Sequence, residues 1–566
     1  MFLYITHATA RIIINKLFIY MFIQKVHIKN FKKFRDFNIL LNPTVNIIVG
    51  NNEEGKSTIL EAIHLALSGM YCGHPFKNEM SEYLFNKESV EKYLNSLDGT
   101  EKLPAPDILI EIIFGDVKGD DALFTGDGNS YGDSKLSGIS FQICFNEEYK
   151  DEYEKYIESD AHTSLPIEYY KVVWRTFARE TITSRSIPVK SVIIDSTSNK
   201  YQNGSDVYIS KIIKDALEEQ ELVALSQSYR TLKSNFKNDD SIKAINEKIN
   251  NAVQISDKQV SISVDMSMRN SWDTTLMTYI DDIPFQHVGK GEQCLIKTNL
   301  ALAHNRVENS NLILLEEPEN HLSHTKLNEL LKRIQTKCKE KQIIISTHSN
   351  FVANKLNLSN LILLVGNTTF PFTSLDTNDA DYFTKLSGYN TLRMILSKAT
   401  ILVEGPTEEL LIQKIYLNKF GKLPIEDGID IIAVQGLAFK RFLSIARALP
   451  QMRVAVVTDN DGDYEHHIRI KYADYMNEQY PNIKICADER LELNTLEPQF
   501  VDANSDKLDT LREIFGLEES KYPTKDTITG YMKNNKTDWA LKIFDSEKSF
   551  EMPQYIDEAV AWVRNE

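Results

Sequence analysis

A chain of 566 residues, 42% hydrophobic and 25% charged, has the composition of an ordinary globular protein and is too long for one core, so two or three domains are expected. Its net charge of −16 excludes a protein that coats nucleic acid over its whole surface, while a local basic groove stays compatible with a DNA substrate. Five scattered cysteines (Cys72, Cys144, Cys294, Cys338, Cys486) without CxxC or Cys/His zinc spacing exclude a zinc module and point to a reduced, cytoplasmic protein.

In chain order, residues 1–20 (MFLYITHATARIIINKLFIY) are apolar but interrupted by Arg11 and Lys16, so no run reaches bilayer length and no membrane partner is expected. The basic residues lie inside the apolar stretch and no small-residue cleavage site follows, which argues against a signal peptide. Residues 1–20 read as an extension ahead of a domain that starts at Met21, with an extra strand or helix on the sheet as an equal alternative. Thr44–Val49 (TVNIIV) is a short apolar strand running into Gly50, Asn51, Asn52, Glu53, Glu54, Gly55, Lys56, Ser57 and Thr58, then into the helical pattern ILEAIHLALSG. This is GxxxxGK[ST] between a strand and a helix, the setting a P-loop requires. The glycines let backbone N–H groups wrap phosphates, Lys56 neutralises the β- and γ-phosphates, and Ser57 holds Mg²⁺. ATP with Mg²⁺ is therefore the expected ligand of this segment.

A long insertion separates Thr58 from the next motif. It contains strand-like runs at Asp107–Phe114 and Ile139–Phe145, with a Gly-, Asp- and Ser-rich loop at Asp116–Ser137. Residues 208–255 have helical periodicity but no long heptad array, which suits a short helical dimerisation module or a plain helical cap. Arg175, Arg179 and Arg185 read as surface residues. Gly289-Lys-Gly-Glu-Gln293 then opens a helix whose bare N–H groups, freed at Gly289 and Gly291, suit a phosphate. Asn311–Leu315 (NLILL) is a buried strand ending in Glu316 and Glu317. Glu316 is placed to order the Mg²⁺ shell and Glu317 to polarise the attacking water. Gln342–Thr347 (QIIIST) ends in His348, placed to sense the γ-phosphate.

From residue 399 strand and helix alternate: ATILVEG, PTEELLIQKIYLNKF, GIDIIAVQG, AFKRFLSIARALPQM, RVAVVTD. Such βαβ alternation implies a parallel sheet, whose active crevice lies outside the carboxyl ends of its strands. Glu404 ends the first strand and Glu408 lies in the first turn of the next helix. Asp459, Asp461 and Asp463 follow the later strand, and in an extended tail Asp459 and Asp461 share a face. Clustered carboxylates repel unless a hard cation neutralises them, so Mg²⁺ or Mn²⁺ is expected at Glu404, Glu408, Asp459, Asp461 and Asp463, acting on a phosphodiester.

The motif order of the first half resembles the ABC-type ATPase head of SMC-like and RecF-like proteins, as does the opening VHIKNFKKFRDFNILL; Glu316 stands where many members carry Asp. That resemblance implies two heads sandwiching ATP, with GKGEQ serving the partner's nucleotide. Gln142 is a weak candidate for a Q-loop residue. ILVEGPTEE and VVTDNDGD resemble a Toprim domain, and an ATPase head in front of Toprim resembles the OLD (overcoming lysogenisation defect) family of ATP-linked endonucleases. The family further implies a lysine facing the scissile phosphate, matched by Lys536 in KNNKTDWALKIF, and an added acid, matched by Glu497. The expected fold is α/β: a P-loop head with a helical dimerisation insertion, then a Toprim parallel-sheet domain. The expected spans are 21–150 and 261–370 for the head, 151–260 for the insertion, 371–396 for a linker and 397–566 for Toprim. The expected function is a DNA endonuclease, with Glu404, Asp459, Asp461 and Lys536 catalytic and Glu317 serving the ATPase. As in OLD-like antiphage effectors, a homodimer working with a helicase or with a reverse transcriptase and its DNA is implied. An ATP-driven DNA clamp or sensor with a non-catalytic Toprim fold is the alternative.

Overall fold

The computed structural model describes residues 21–97, 99, 102–115, 122–157, 164–195, 201–202, 205–206, 217–252, 262, 278–303, 312–337, 341–372, 375–434 and 438–565. The readings of residues 1–20, of 208–216 and of 253–255 lie outside the described residues. The chain forms two compact units: one runs through Ile48, resumes at Asn52, ends at Thr347 and takes in Gly366–Thr368, and the other holds Val49–Asn51, His348–Val365 and the chain from Thr369 onward.

Among the described residues, two large sheets organise the first unit. One is antiparallel, in the order Phe34–Leu40, Phe22–Phe31, Ile108–Gly115, Gly138–Phe145, Tyr170–Thr176. Its opening hairpin pairs Lys25 with Leu40 and Phe31 with Phe34, which buries Val26, Ile28, Phe34, Phe37 and Ile39. Gln142 lies in the interior of this sheet, opposite Leu109, with its amide nitrogen donating to Asp107 (3.0 Å). The other sheet is parallel and includes, side by side, Val45–Val49, Gln342–Ser346, Leu312–Glu316 and Ser191–Asp195. Ile345 stands opposite Ile47 and Leu315, and Leu315 opposite Ile194. The Val-, Ile- and Leu-rich runs suit a sheet covered on both faces.

The span 151–260 differs from an all-helical insertion. It supplies Tyr170–Thr176 to the antiparallel sheet and Ser191–Asp195 to the parallel one, and its described helices are Lys150–Ile157, Glu219–Asn238 and Asp240–Ala252. A five-residue strand such as SVIID, bracketed by Ser and Lys, is too short for its periodicity to stand out; the Leu312–Glu316 strand beside it decides its conformation.

The second unit carries a four-stranded parallel sheet in the order Ile429–Ala433, Ala399–Val403, Arg453–Val457, Ile483–Cys486. Leu402 stands opposite Ile432 on one side and Val456 on the other. Side chains alternate between faces along a strand. Ile401, Val403, Ala455 and Val457 therefore enter one core, with Leu411 and Tyr416 of the helix Pro406–Phe420, Phe500, Phe515, Trp539 and Ile556. The helix Gln554–Arg564 packs across the two central strands, so it shares a core with the strand Ala399–Val403.

The expected linker 371–396 is folded where it is described. It contains the helices Thr377–Lys385 and Thr391–Leu396, which pack against Asn350–Lys355. Asn354, fully buried, donates to the carbonyls of Ser387 (3.2 Å) and Tyr389 (2.9 Å) and accepts from the Thr391 hydroxyl (2.6 Å). Arg393 reaches the edge strand, with Nε donating to Asp430 Oδ2 at 2.9 Å, and Phe383 meets Phe442 edge-on at 5.4 Å. An aromatic cluster and an ion pair with a buried carboxylate thus dock the segment that composition alone marks as a connector. Asn354→Ala would leave two carbonyls and a hydroxyl without their partner, and should cost about 3 kcal/mol. A lowered denaturant midpoint for the second unit checks this.

Candidate active site

The acidic centre lies at the carboxyl ends of the two central strands of the second unit. Glu404 follows Ala399–Val403, and its Oε1 accepts from the Thr458 hydroxyl (2.6 Å) and from the Asp459 amide (3.1 Å). The two strand ends are therefore joined through one carboxylate oxygen. Glu408, at the third position of the following helix, turns back so that Oε2 accepts from the Gly405 amide (3.0 Å). Burial raises the Glu408 carboxyl to about 7, aided by the charges of Glu404 and Glu497. Burial likewise raises Asp459 to about 8, aided by Glu404, Glu408 and Glu497 and partly offset by the Leu496 N–H. Four acids from three segments thus share one electrostatic neighbourhood: Glu404, Glu408, Asp459 and Glu497.

The expected sharing of a face by Asp459 and Asp461 is overturned, because the backbone is not extended there. Asp461 (φ 50°) and Gly462 (φ 80°) are left-handed. Asn460, fully buried, anchors the turn: its Nδ2 donates to the carbonyls of Asp488 (2.8 Å), Arg490 (3.0 Å) and Leu493 (3.4 Å), while its Oδ1 accepts from the Gly462 amide (2.8 Å). Asp461 points outward, 61% exposed, with its carboxylate 3.2 Å from His467 Nδ1. Asp463 accepts from the His466 amide (3.0 Å) and pairs with His466 Nδ1 (2.8 Å). These bonds hold its carboxyl below the usual range. The turn brings together Glu404, Glu408, Asp459 and Glu497, and leaves Asp461 and Asp463 outside that group. Lys536 opens the helix Lys536–Asp545 and is exposed.

Thr458 and Asn460 are absent from a reading based on acids. The signal that could have found them is their place around Asp459, since an Asn two residues before Gly462 is a turn former whose amide can seize backbone carbonyls. Among the described residues no group of three or more His, Cys, Asp and Glu is already arranged to hold a metal ion. The donor set is nevertheless all carboxylate, the chemistry that hard divalent cations take.

In the first unit, Gly55 enters the helix Lys56–Ser68 at φ 101°, and a Cβ there would stand 2.6 Å from Phe34 Cζ, so the loop needs glycine at this position. Lys56 is only 6% exposed. Burial lowers its pKa, opposed by the charges of Glu317, Glu54 and Glu316, which places these acids around the ammonium. Ser57 and Asn52 are exposed, as is Glu53 at φ 64°, and Thr58 is buried in the helix. Glu317 is itself left-handed (φ 42°), its amide donating to Ser346 O (2.9 Å) and its Oε2 accepting from Asn320 Nδ2 (2.7 Å). Such strain in a non-glycine residue is held only by surrounding structure. Gly289 precedes the helix Lys290–Ala303, and a Cβ on Gly291 would fall 2.2 Å from His321 O, so Gly291 admits the carbonyl of the ENH turn. Gly50, Asn51 and His348 belong to the second unit; Gly50 is buried, Asn51 and His348 exposed.

Two family models match this chain: the AAA ATPase domain over residues 21–353, and the Overcoming lysogenization defect protein-like TOPRIM domain over residues 395–461. The chain belongs to the AAA ATPase domain family and is an OLD-type fusion of that ATPase with a Toprim domain. The OLD-type chain also has local likeness to the DNA replication and repair protein RecF. The match is 30% identical over 69 residues in Ligilactobacillus salivarius (strain UCC118), 12% of this chain and 18% of that protein. In Clostridium botulinum (strain ATCC 19397 / Type A) it is 45% over 49 residues, 9% and 14%. The chain thus spans less than a fifth of the length of these relatives. Among solved structures, the SMC head domain from Thermotoga maritima aligns at TM-score 0.28 and 14% identity, covering 61% of this chain and 97% of that one. RecF with ATP aligns at TM-score 0.33 and 12% identity, covering 62% and 99%. No helix among the described residues is long and apolar enough to cross a membrane.

Glu408 and Asp459 bind protons more tightly folded than unfolded. Their contribution therefore favours folding at low pH and is lost as pH rises through about 7 and then 8. In metal-free buffer the melting temperature of the Toprim domain should fall between about pH 6 and 9. Asp459→Asn should flatten that slope and melt higher than wild type at the alkaline end. Differential scanning calorimetry across this range checks both.

Proposed function

We propose that this chain is a metal-dependent DNA endonuclease controlled by its ATPase head, and that it acts as an effector of bacterial antiphage defence. The observation that carries the reading is that the Thr458 hydroxyl (2.6 Å) and the Asp459 amide (3.1 Å) both bond Glu404 Oε1, which brings two strand-end acids together, while Glu408 and Glu497 add their charge to the burial that raises Asp459. A fold that only needed structure would not hold four acids together, since the repulsion is relieved only by a proton or a cation. Glu404, Glu408, Asp459 and Glu497 would hold Mg²⁺ or Mn²⁺, with Asp461 and Asp463 at the rim. When bound, the cation supplies water activation and charge neutralisation at a phosphodiester. Glu404 is held for this by the Thr458 hydroxyl and the Asp459 amide. Lys536, by family likeness, would meet the charge that builds on the scissile phosphate. Water adds to phosphorus, one bridging P–O bond breaks, and no covalent enzyme intermediate is needed.

At the head, Gly50–Thr58 would bind ATP with Mg²⁺ held by Ser57 and Glu316. Lys56, already desolvated, would regain on phosphate oxygens the interactions it gives up to water. Glu317 would polarise the water that attacks the γ-phosphate, and His348 would sense that phosphate. Gly289 and Gly291 would address the nucleotide of a second copy, giving a homodimer through the heads and the helical insertion. The docking of Asn350–Leu396 onto the Toprim sheet through Arg393 and Phe383 supports control of cleavage by the head, because this segment follows His348 directly. DNA as substrate draws support from the likeness to RecF, a DNA replication and repair protein. A helicase, as in Gabija-type systems, or a reverse transcriptase with its DNA, as in retrons, is the expected companion in a cytoplasmic complex. The clamp or sensor reading has one observation in its favour, the lack of a ready-made three-ligand group among the described residues.

Plasmid cleavage in Mg²⁺ or Mn²⁺, with and without ATP, separates the two readings. Wild type should cut, and Glu404→Ala should lose at least about 100-fold. Lys56→Ala should abolish ATP hydrolysis and the response of cleavage to ATP. If wild type fails to cut with either metal, alone or with its genomic neighbours, the clamp reading replaces the nuclease.

A further inference from the structure

The geometry points to Tyr472 as a positioning residue of the carboxylate site, orienting Glu404 through the Thr458 hydroxyl; the inference rests on the Toprim site binding a divalent cation. Tyr472 follows the π-helical turn Glu465–Ile470 and is fixed to it by its amide, which donates to Ile468 O (3.0 Å). Its side chain is 0% exposed, and the phenolic oxygen is buried without a well-formed hydrogen bond, although the Thr458 hydroxyl lies beside it. The charges of Glu404 and Asp461 reach that oxygen. Burial and the two carboxylates push the phenol's pKa well up, so near neutral pH it is an O–H donor and not a nucleophile.

A buried hydroxyl without a partner costs stability that a phenylalanine would not, and natural folds keep few of them. Here the unused donor lies beside the one hydroxyl that fixes a candidate ligand. Thr458 spends its proton on Glu404 Oε1 at 2.6 Å, which leaves its oxygen able to accept. A bond from Tyr472 to Thr458 would set the direction of the Thr458 proton and hence the pose of Glu404. That link closes as Glu404 turns to a divalent cation, and the two hydroxyls then act as one relay behind the ligand. Neither residue touches the phosphodiester.

Tyr472→Phe keeps the ring and removes only the donor. Metal-free Tyr472→Phe should melt at or above wild type, because an unsatisfied polar atom is gone. By calorimetric titration with Mn²⁺ alone it should bind about fivefold more weakly, and its kcat for plasmid cleavage should fall about tenfold at unchanged KM. Thr458→Val should show the same losses, and the double variant little more than either single one, as members of one relay are not additive. Unchanged Mn²⁺ affinity in Tyr472→Phe overturns the proposal. A lowered melting temperature with unchanged affinity does so too, by showing a merely structural hydroxyl. The titration needs no cleavage: a wild type that binds Mn²⁺ but does not cut DNA sinks the nuclease reading, and the effect of Tyr472→Phe on affinity still decides this one. A wild type that binds no Mn²⁺ overturns both.

Discussion

Like charges held closer than water would allow are the constraint on which the second unit depends. Burial, with the charges of Glu404, Glu408, Asp459 and Glu497 acting on one another, lifts two of their pKa values to about 7 and about 8. Left to themselves the side chains would swing apart, and what prevents it is mostly backbone. The Asp459 amide and the Thr458 hydroxyl hold Glu404, and the Gly405 amide holds Glu408. Asn460 ties the acidic turn to three carbonyls of the segment that leads to Glu497. Behind them the core around Trp539, Tyr416 and Phe500 fixes the strands to which these groups belong. A scaffold that is rigid at the strand ends can hold a group of acids in place against their repulsion.

This logic explains which parts of the molecule were legible in the sequence. The P-loop and the strands at Val45–Val49, Leu312–Glu316, Ala399–Val403 and Arg453–Val457 declare themselves because short runs in buried parallel sheets are almost wholly apolar, broken inside only by Asn46 and Thr400. Glu404 and Asp459 were readable for the same reason, as acids standing where such runs stop. The acidic turn was not, because its shape comes from Asn460 reaching carbonyls that lie 28 to 33 residues further along the chain. No local pattern encodes a partner that distant. Residues 371–396 misled in a similar way: their polarity suggests a connector, and only the fold shows Arg393 against Asp430 and Phe383 against Phe442. Tyr472 carried no signal at all, since one tyrosine among 25 is unremarkable until its hydroxyl is found buried beside carboxylates.

The head and the Toprim domain solve mirror-image problems. In the head a cation is withdrawn from water: Lys56 is buried, its pKa is lowered by that burial, and the acids around it only partly compensate. Phosphate oxygens are the natural relief. In the Toprim domain anions are withdrawn from water, and a hard cation is the natural relief. Each site thus withdraws from water a charge of the sign opposite to its ligand. A ligand that binds only the folded form stabilises it by mass action, so both sites should gain stability on binding.

The same reasoning bears on why the acids, and not the chain's overall charge, are informative. A net charge of −16 spread over a surface is screened within about 8 Å at physiological salt, and says little about chemistry. Asp463 and Asp427 are acids of that ordinary kind: half-exposed, hydrogen-bonded, with pKa values held down by their partners. Asp459 differs in the sign of its shift, because burial and like charges outweigh the single N–H that favours its ionised form. Between two aspartates only four residues apart, the direction of that shift separates a group that the fold has satisfied from one that it has kept for something else.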